Sequence, residues 1–215
     1  MPAPHPNPPP QGTPLSNSLD ETTSHSTRLP ETSAKSLVIP QAGERTNEKS
    51  NLESSGEGAN DRCATLSFLL TDEAATVAFA ARLAPCIKPG MVLHLHGDLG
   101  AGKTTLVRAL LHALGYKGRV KSPTYTLLEQ YQAGGLNLRH FDLYRFHDED
   151  EWEAAGFRDE FDGCNVCLVE WPKKANDLVP QADVEIMLEI LFDGRSMEVR
   201  ANSQTGRECL KALQS

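Results

Sequence analysis

Long apolar runs are missing from this chain of 215 residues: none approaches the roughly 18 to 20 residues a membrane-spanning helix requires, so it is read as soluble, with no membrane partner. A concentrated basic run is missing too. The net charge is -8, half of it on residues 1–61, and a mildly acidic body cannot hold nucleic acid tightly by itself. Any RNA substrate is therefore left to a partner. A disulfide framework is absent, because five cysteines give an odd count without regular spacing, which points to a reducing compartment and a cytoplasmic location. Cys164 and Cys167 form a lone CxxC. With no second pair and no neighbouring histidine ligands, they read as thiols at the start of an apolar strand rather than as a zinc or redox site.

Residues 1–61 have little aliphatic content and carry nine of the 14 prolines. Such a segment cannot bury enough apolar surface to offset its ordering entropy and is expected to be disordered. With four Lys/Arg against eight Asp/Glu, it is also unlike an Arg-rich, acid-poor transit peptide, and it has no apolar core for a secretory signal. The expected organisation is a tail over 1–61 and one catalytic domain over 62–215.

Within the body, the pattern predicts a strand over 64–70 and a helix from a cap near Thr71, Asp72 and Glu73 to about Ala84. A strand over 92–96 and a helix over 104–114 follow. Strand-like segments at 124–131 and 136–144 flank a Gly134-Gly135 turn, and a short helix is expected over 148–155. Val166 to Val169 reads as a buried strand ending at Glu170 and Trp171. A second hairpin turns at Asp193-Gly194, and Thr205 with Glu208 makes a capping box for a terminal helix. Strands with interspersed helices imply an α/β fold, a three-layer α/β/α sandwich of P-loop NTPase type around a mixed central sheet.

The chemistry is concentrated in Gly97-Asp98-Leu99-Gly100-Ala101-Gly102-Lys103-Thr104, which satisfies G-x-x-x-x-G-K-[ST] between a predicted strand and a predicted helix. Glycines let such a loop turn its amides inward around phosphate, and the following helix adds its positive N-terminus. Lys103 can then contact the β- and γ-phosphates, and the Thr104 hydroxyl can coordinate Mg²⁺. Hydrolysis also needs an acid near the metal and a group that orients water. Glu170 and Asp142, each near a strand end, are the candidates. His94, His96 and His140 lack metal-ligand spacing and read as core or rim residues.

Four segments identify a family: Gly97 to Thr105, Ser122-Pro123-Thr124-Tyr125-Thr126-Leu127, His140 to Arg145, and Leu168-Val169-Glu170-Trp171-Pro172. In order and spacing they closely resemble the TsaE (YjeE) family, P-loop ATPases required for threonylcarbamoyladenosine modification of tRNA, over about residues 66–200. The resemblance implies a small, rearranged sheet, and ATP hydrolysis that is slow without partners. It also implies two partners, TsaB and TsaD, which carry threonylcarbamoyl transfer to adenosine 37 of tRNAs reading ANN codons, with ATP used to reset the complex between turnovers. By position, Lys103 would hold phosphates, Thr104 and Glu170 would hold Mg²⁺, and Asp142 would orient or deprotonate the attacking water. Thr105 belongs to the same phosphate-binding run. Thr124 and Thr126 would lie on a loop responsive to the γ-phosphate. Trp171 would lie beside the nucleotide, or simply pack after its strand. Tyr144 and Arg145 would touch phosphate or a partner.

Two other readings use the same loop. A small-molecule or nucleotide kinase shares the motif and the size, but no Arg-rich lid insertion is evident. A nucleotide-dependent binding switch would bind without turnover. A GTPase fits less well, since no N-K-x-D motif occurs and Asp142 is followed by Leu143, Tyr144 and Arg145 rather than by a glycine three positions on.

Overall fold

A computed structural model describes residues 64–215; the expected tail and Cys63 lie outside the described residues. Seven strands form one sheet in the order β1-β7-β6-β2-β5-β4-β3. They are β1 (Thr65–Leu70), β2 (Val92–His96), β3 (Leu128–Ala133), β4 (Leu136–Asp142), β5 (Val166–Glu170), β6 (Val184–Leu191) and β7 (Gly194–Ala201). At the centre, β4, β5, β2 and β6 run parallel, and antiparallel pairing adds β3 on one side and β7 then β1 on the other. The parallel strands therefore end together at one edge of the sheet, where α/β proteins form their ligand crevice.

Helices α1 (Glu73–Leu83), α2 (Lys103–Ala113) and α4 (Gln204–Leu213) cover one face. Leu93, Leu95, Leu106, Leu110, Phe79 and Leu210 close the core there. The opposite face is covered by short elements only, α3 (Glu149–Ala154) and single turns at 157–160, 172–174 and 176–178. Such pieces bury little area each, and aromatic rings make up the volume. Phe141 stacks against Phe161 at 5.1 Å and meets Phe157 edge-on at 5.5 Å, while Trp152 is fully buried. The result is a three-layer α/β/α sandwich around a mixed sheet, with one thick outer layer and one thin one.

Two local expectations need correction. The strand expected from Thr124 begins at Leu128, because the Leu127 amide donates back to the Pro123 carbonyl at 2.6 Å and Leu127 sits at φ 59°. The β-branched threonines suggested a strand, but that closed turn keeps 124–127 out of the ladder. The terminal helix is capped by Ser203, not Thr205: Ser203 Oγ accepts from the Gly206 amide at 3.0 Å and donates to Asp183, and Glu208 bonds Lys88 instead. Replacing Ser203 by Ala is expected to lower stability by about 1 kcal/mol. Thr205→Ala, inside the helix, should change it little, since alanine is the better helix former. Denaturant unfolding of the two variants checks the ranking.

Candidate nucleotide site

A cavity of about 490 Å³ opens at the C-terminal ends of the parallel strands. Its floor is built from adjacent strand ends. Asp142 closes β4 and Glu170 closes β5 as register partners, and strand alternation sets both on the face that α2 covers. Between β2 and α2 runs the loop 97–102. The sheet thus brings Lys103, Thr104, Asp142, Glu170 and Trp171 to one cavity, together with Thr105 and Thr124.

The loop conformation explains its glycines at two positions. At Gly97 a Cβ would stand 2.4 Å from the Leu188 carbonyl oxygen, so only glycine lets β2 pass into the loop beside β6. Gly102 enters α2 at φ 103°, a left-handed conformation that side chains disfavour. Ala101 is fully buried under the loop. Leu99 and Gly100 face the cavity, whereas Gly97, Asp98 and Ala101 do not line it. Gly97 and Asp98 contribute backbone instead: their carbonyls accept from Lys103 Nζ at 2.7 and 2.9 Å.

Lys103 is buried, and its ammonium lies 4.0 Å from the centre of the Trp171 ring. Burial pushes its pKa below the usual lysine value, and the nearby carboxylates of Glu170, Asp142 and Asp98 push back. Trp171 sits at φ 59° and packs against Tyr144 at 5.1 Å. A left-handed non-glycine residue costs about 1–3 kcal/mol and persists where its surroundings fix it, as these two ring contacts do here.

Glu170 is 2% exposed. Its Oε1 accepts from the Thr104 hydroxyl at 2.8 Å and lies 2.9 Å from His140 Nε2. A hydroxyl and a carboxylate side by side are hard oxygen donors of the kind Mg²⁺ selects. His140, fully buried, therefore does more than fill the core: it fixes the rotamer of this carboxylate. Asp142 Oδ2 accepts from Thr124 Oγ1 at 2.6 Å and from Ser122, while Oδ1 accepts from the Tyr144 amide at 3.1 Å. The turn 122–127 is thus latched onto this acid. Thr126 is exposed and does not line the cavity.

Sequence reasoning missed Arg195, which lies on the second hairpin. It lines the same cavity and donates from Nη2 to the Gly100 carbonyl at 3.3 Å. Nothing in the linear pattern links residue 195 to a loop almost a hundred positions earlier; only the placement of β6 beside β2 does so. Tyr144 and Arg145 also line the cavity, and the Arg145 guanidinium lies 4.5 Å from the ring of the exposed Tyr125. The two cysteines of the CxxC stand in different settings. Cys167 is buried, its thiol pushed up to about 12 by that burial, and Cys164 is exposed in a turn.

Among the described residues, no helix is long and apolar enough to cross a membrane. Comparison with known proteins gives one consistent result. The family model described as "Threonylcarbamoyl adenosine biosynthesis protein TsaE" matches residues 70–197. The chain is 38% identical over 154 residues to the tRNA threonylcarbamoyladenosine biosynthesis protein TsaE of Haemophilus influenzae, covering 69% of this chain and 98% of that one. To the Bacillus subtilis protein of the same description it is 44% identical over 114 residues, or 53% of this chain and 71% of that one. The crystal structure of Bacillus subtilis YdiB superposes with a TM-score of 0.60 at 31% identity, across 72% of this chain and 97% of that one. The protein with the cavity described above belongs to the TsaE family.

Proposed function

We propose that the protein is a Mg²⁺-dependent ATPase that acts in threonylcarbamoylation of adenosine 37 in tRNAs reading ANN codons. It works beside TsaB and TsaD in the cytoplasm and reaches tRNA only through that complex. The observation that carries this reading is the convergence of Lys103, Thr104, Asp142 and Glu170, from a loop-helix junction and two strand ends, on one open cavity. The family membership and the names of the relatives support the pathway.

The residues fit ATP and Mg²⁺. A volume of about 490 Å³ is in the range of small-molecule sites, the loop is followed by an 11-residue helix whose N-terminus favours anions, and Thr104 beside Glu170 supplies oxygen ligands. Bound together, they would bring the scissile phosphoanhydride and a divalent charge to this cavity. Lys103 holds a buried positive charge where phosphate oxygens would lie. His140 keeps Glu170 oriented toward Thr104. Asp142 Oδ2 becomes free to orient water, or to take its proton, when Thr124 and Ser122 turn away. That gives the turn 122–127 the properties of a switch sensitive to the terminal phosphate.

Arg195 adds positive charge from the hairpin side. Arg195→Ala is expected to lower ATP turnover about tenfold or more, since a positive charge lining the cavity is lost, while the fold is kept at this half-buried position. Steady-state phosphate release measures it.

The pathway is tested by reconstitution of the full chain with TsaB, TsaD, threonylcarbamoyl adenylate and tRNA, counting modified nucleosides per TsaD. The expected result is several per TsaD only when both this chain and ATP are present. If the chain never raises the yield beyond the first turnover, the pathway assignment is wrong.

A further inference from the structure

A second group of polar side chains lies on the sheet face away from α2, outside the cavity. Leu93 and Leu95 point from β2 into the core under α2, so His94 and His96, in alternation with them, point to the other face. Glu185 on β6 is the register partner of His94. Among the described residues, one ligand atom from each of His94, His96 and Glu185 lies within 4.8 Å of the other two.

The hydrogen bonding of these imidazoles is incomplete. His94 is 8% exposed, and its Nε2 and that of His96 are both buried without a partner. The 3.7 Å from His96 Nε2 to Glu185 Oε1 exceeds hydrogen-bond length. Two orphaned nitrogens beside one carboxylate are costly in a native interior and call for an occupant.

We infer that His94, His96 and Glu185 form a binding site for a divalent transition-metal ion of the Zn²⁺ class, separate from the nucleotide cavity. Two imidazoles and one carboxylate match the donor set of open zinc sites and exclude Mg²⁺ as the preferred occupant, since Mg²⁺ selects oxygen. Bonds of about 2.0–2.1 Å in a tetrahedral shell bring ligand atoms to about 3.3 Å apart, so the three need to close by about 1.5 Å at most. The ion would tie β2 to β6 at the root of the phosphate loop, because His96 directly precedes Gly97.

The test uses the full chain, stripped by a chelator and free of nucleotide, titrated with Zn²⁺ and with Co²⁺. One tight equivalent of Zn²⁺ is expected, with visible Co²⁺ bands that lack thiolate charge transfer and a rise in melting temperature on adding Zn²⁺. Glu185→Gln and His96→Asn, both at half-buried positions, should each weaken Zn²⁺ binding about tenfold or more and abolish that rise. Unchanged affinity in both variants, thiolate bands with Co²⁺, or no uptake by the unaltered chain would each overturn the site. Zn²⁺-induced shifts of the His94 and His96 ring nitrogens in NMR spectra of the unaltered chain are a further expected result, and unshifted rings would overturn the site even if both variants misfold.

Discussion

Replacing Glu170 by Gln should lower ATP hydrolysis about 100-fold or more and leave ATP binding in the absence of Mg²⁺ within about threefold of the unaltered protein. The substitution removes one negative charge and keeps shape. Its amide oxygen can still accept from Thr104 and His140, which both bond Glu170 Oε1, so both of these bonds can be kept. What is lost is the charge proposed to hold a divalent ion beside Thr104. Glu170→Ala should also stop turnover, but it strips His140 of its partner in a fully buried setting, at a cost of about 1–3 kcal/mol in stability. Phosphate release and calorimetric ATP titration with and without Mg²⁺ separate the effects. A Gln variant that hydrolyses ATP at an undiminished rate would remove Glu170 from the metal site.

Lys103→Ala should behave differently, with both binding and turnover failing. The ammonium is a buried charge held by two loop carbonyls and the Trp171 ring, and charge-assisted hydrogen bonds contribute about 1.5–3 kcal/mol each. Loss of one such contact to phosphate corresponds to at least about a tenfold weaker affinity. Turnover should fall about 100-fold or more, because the same charge opposes the negative charge that develops on the transferred phosphoryl group. Lys103→Met keeps most of the buried stem and should show the same kinetic loss with less structural cost. ATP affinity and rate unchanged in both variants would mean that phosphate is held elsewhere.

The phosphate loop was legible because every part of it is contiguous: a strand, a glycine-rich turn and a helix follow one another in the chain. Glu170 was legible from its place after an apolar strand, but its face was not, since a strand buried on both sides shows no alternation. His140 is the instructive case. As a lone histidine on a strand it reads as a core residue, and only the parallel pairing of β4 with β5 brings its Nε2 to Glu170. Arg195 carries no local signal at all. The cap at Ser203 was obscured because Thr205 with Glu208 fits the capping pattern equally well, and contact with Asp183, from the segment before β6, favours the serine. For the turn 122–127, side-chain propensity favoured a strand and the buried left-handed Leu127 prevailed.

This cavity is expected to turn ATP over. Steady-state phosphate release by the full chain, alone and with TsaB and TsaD, with Mg²⁺ and then with a chelator, tests it most directly. The expected rate saturates with ATP, rises with the partners, and disappears both with the chelator and in Glu170→Gln. ATP that binds but is never hydrolysed, even beside both partners, would contradict it and make the protein a nucleotide-controlled binding switch.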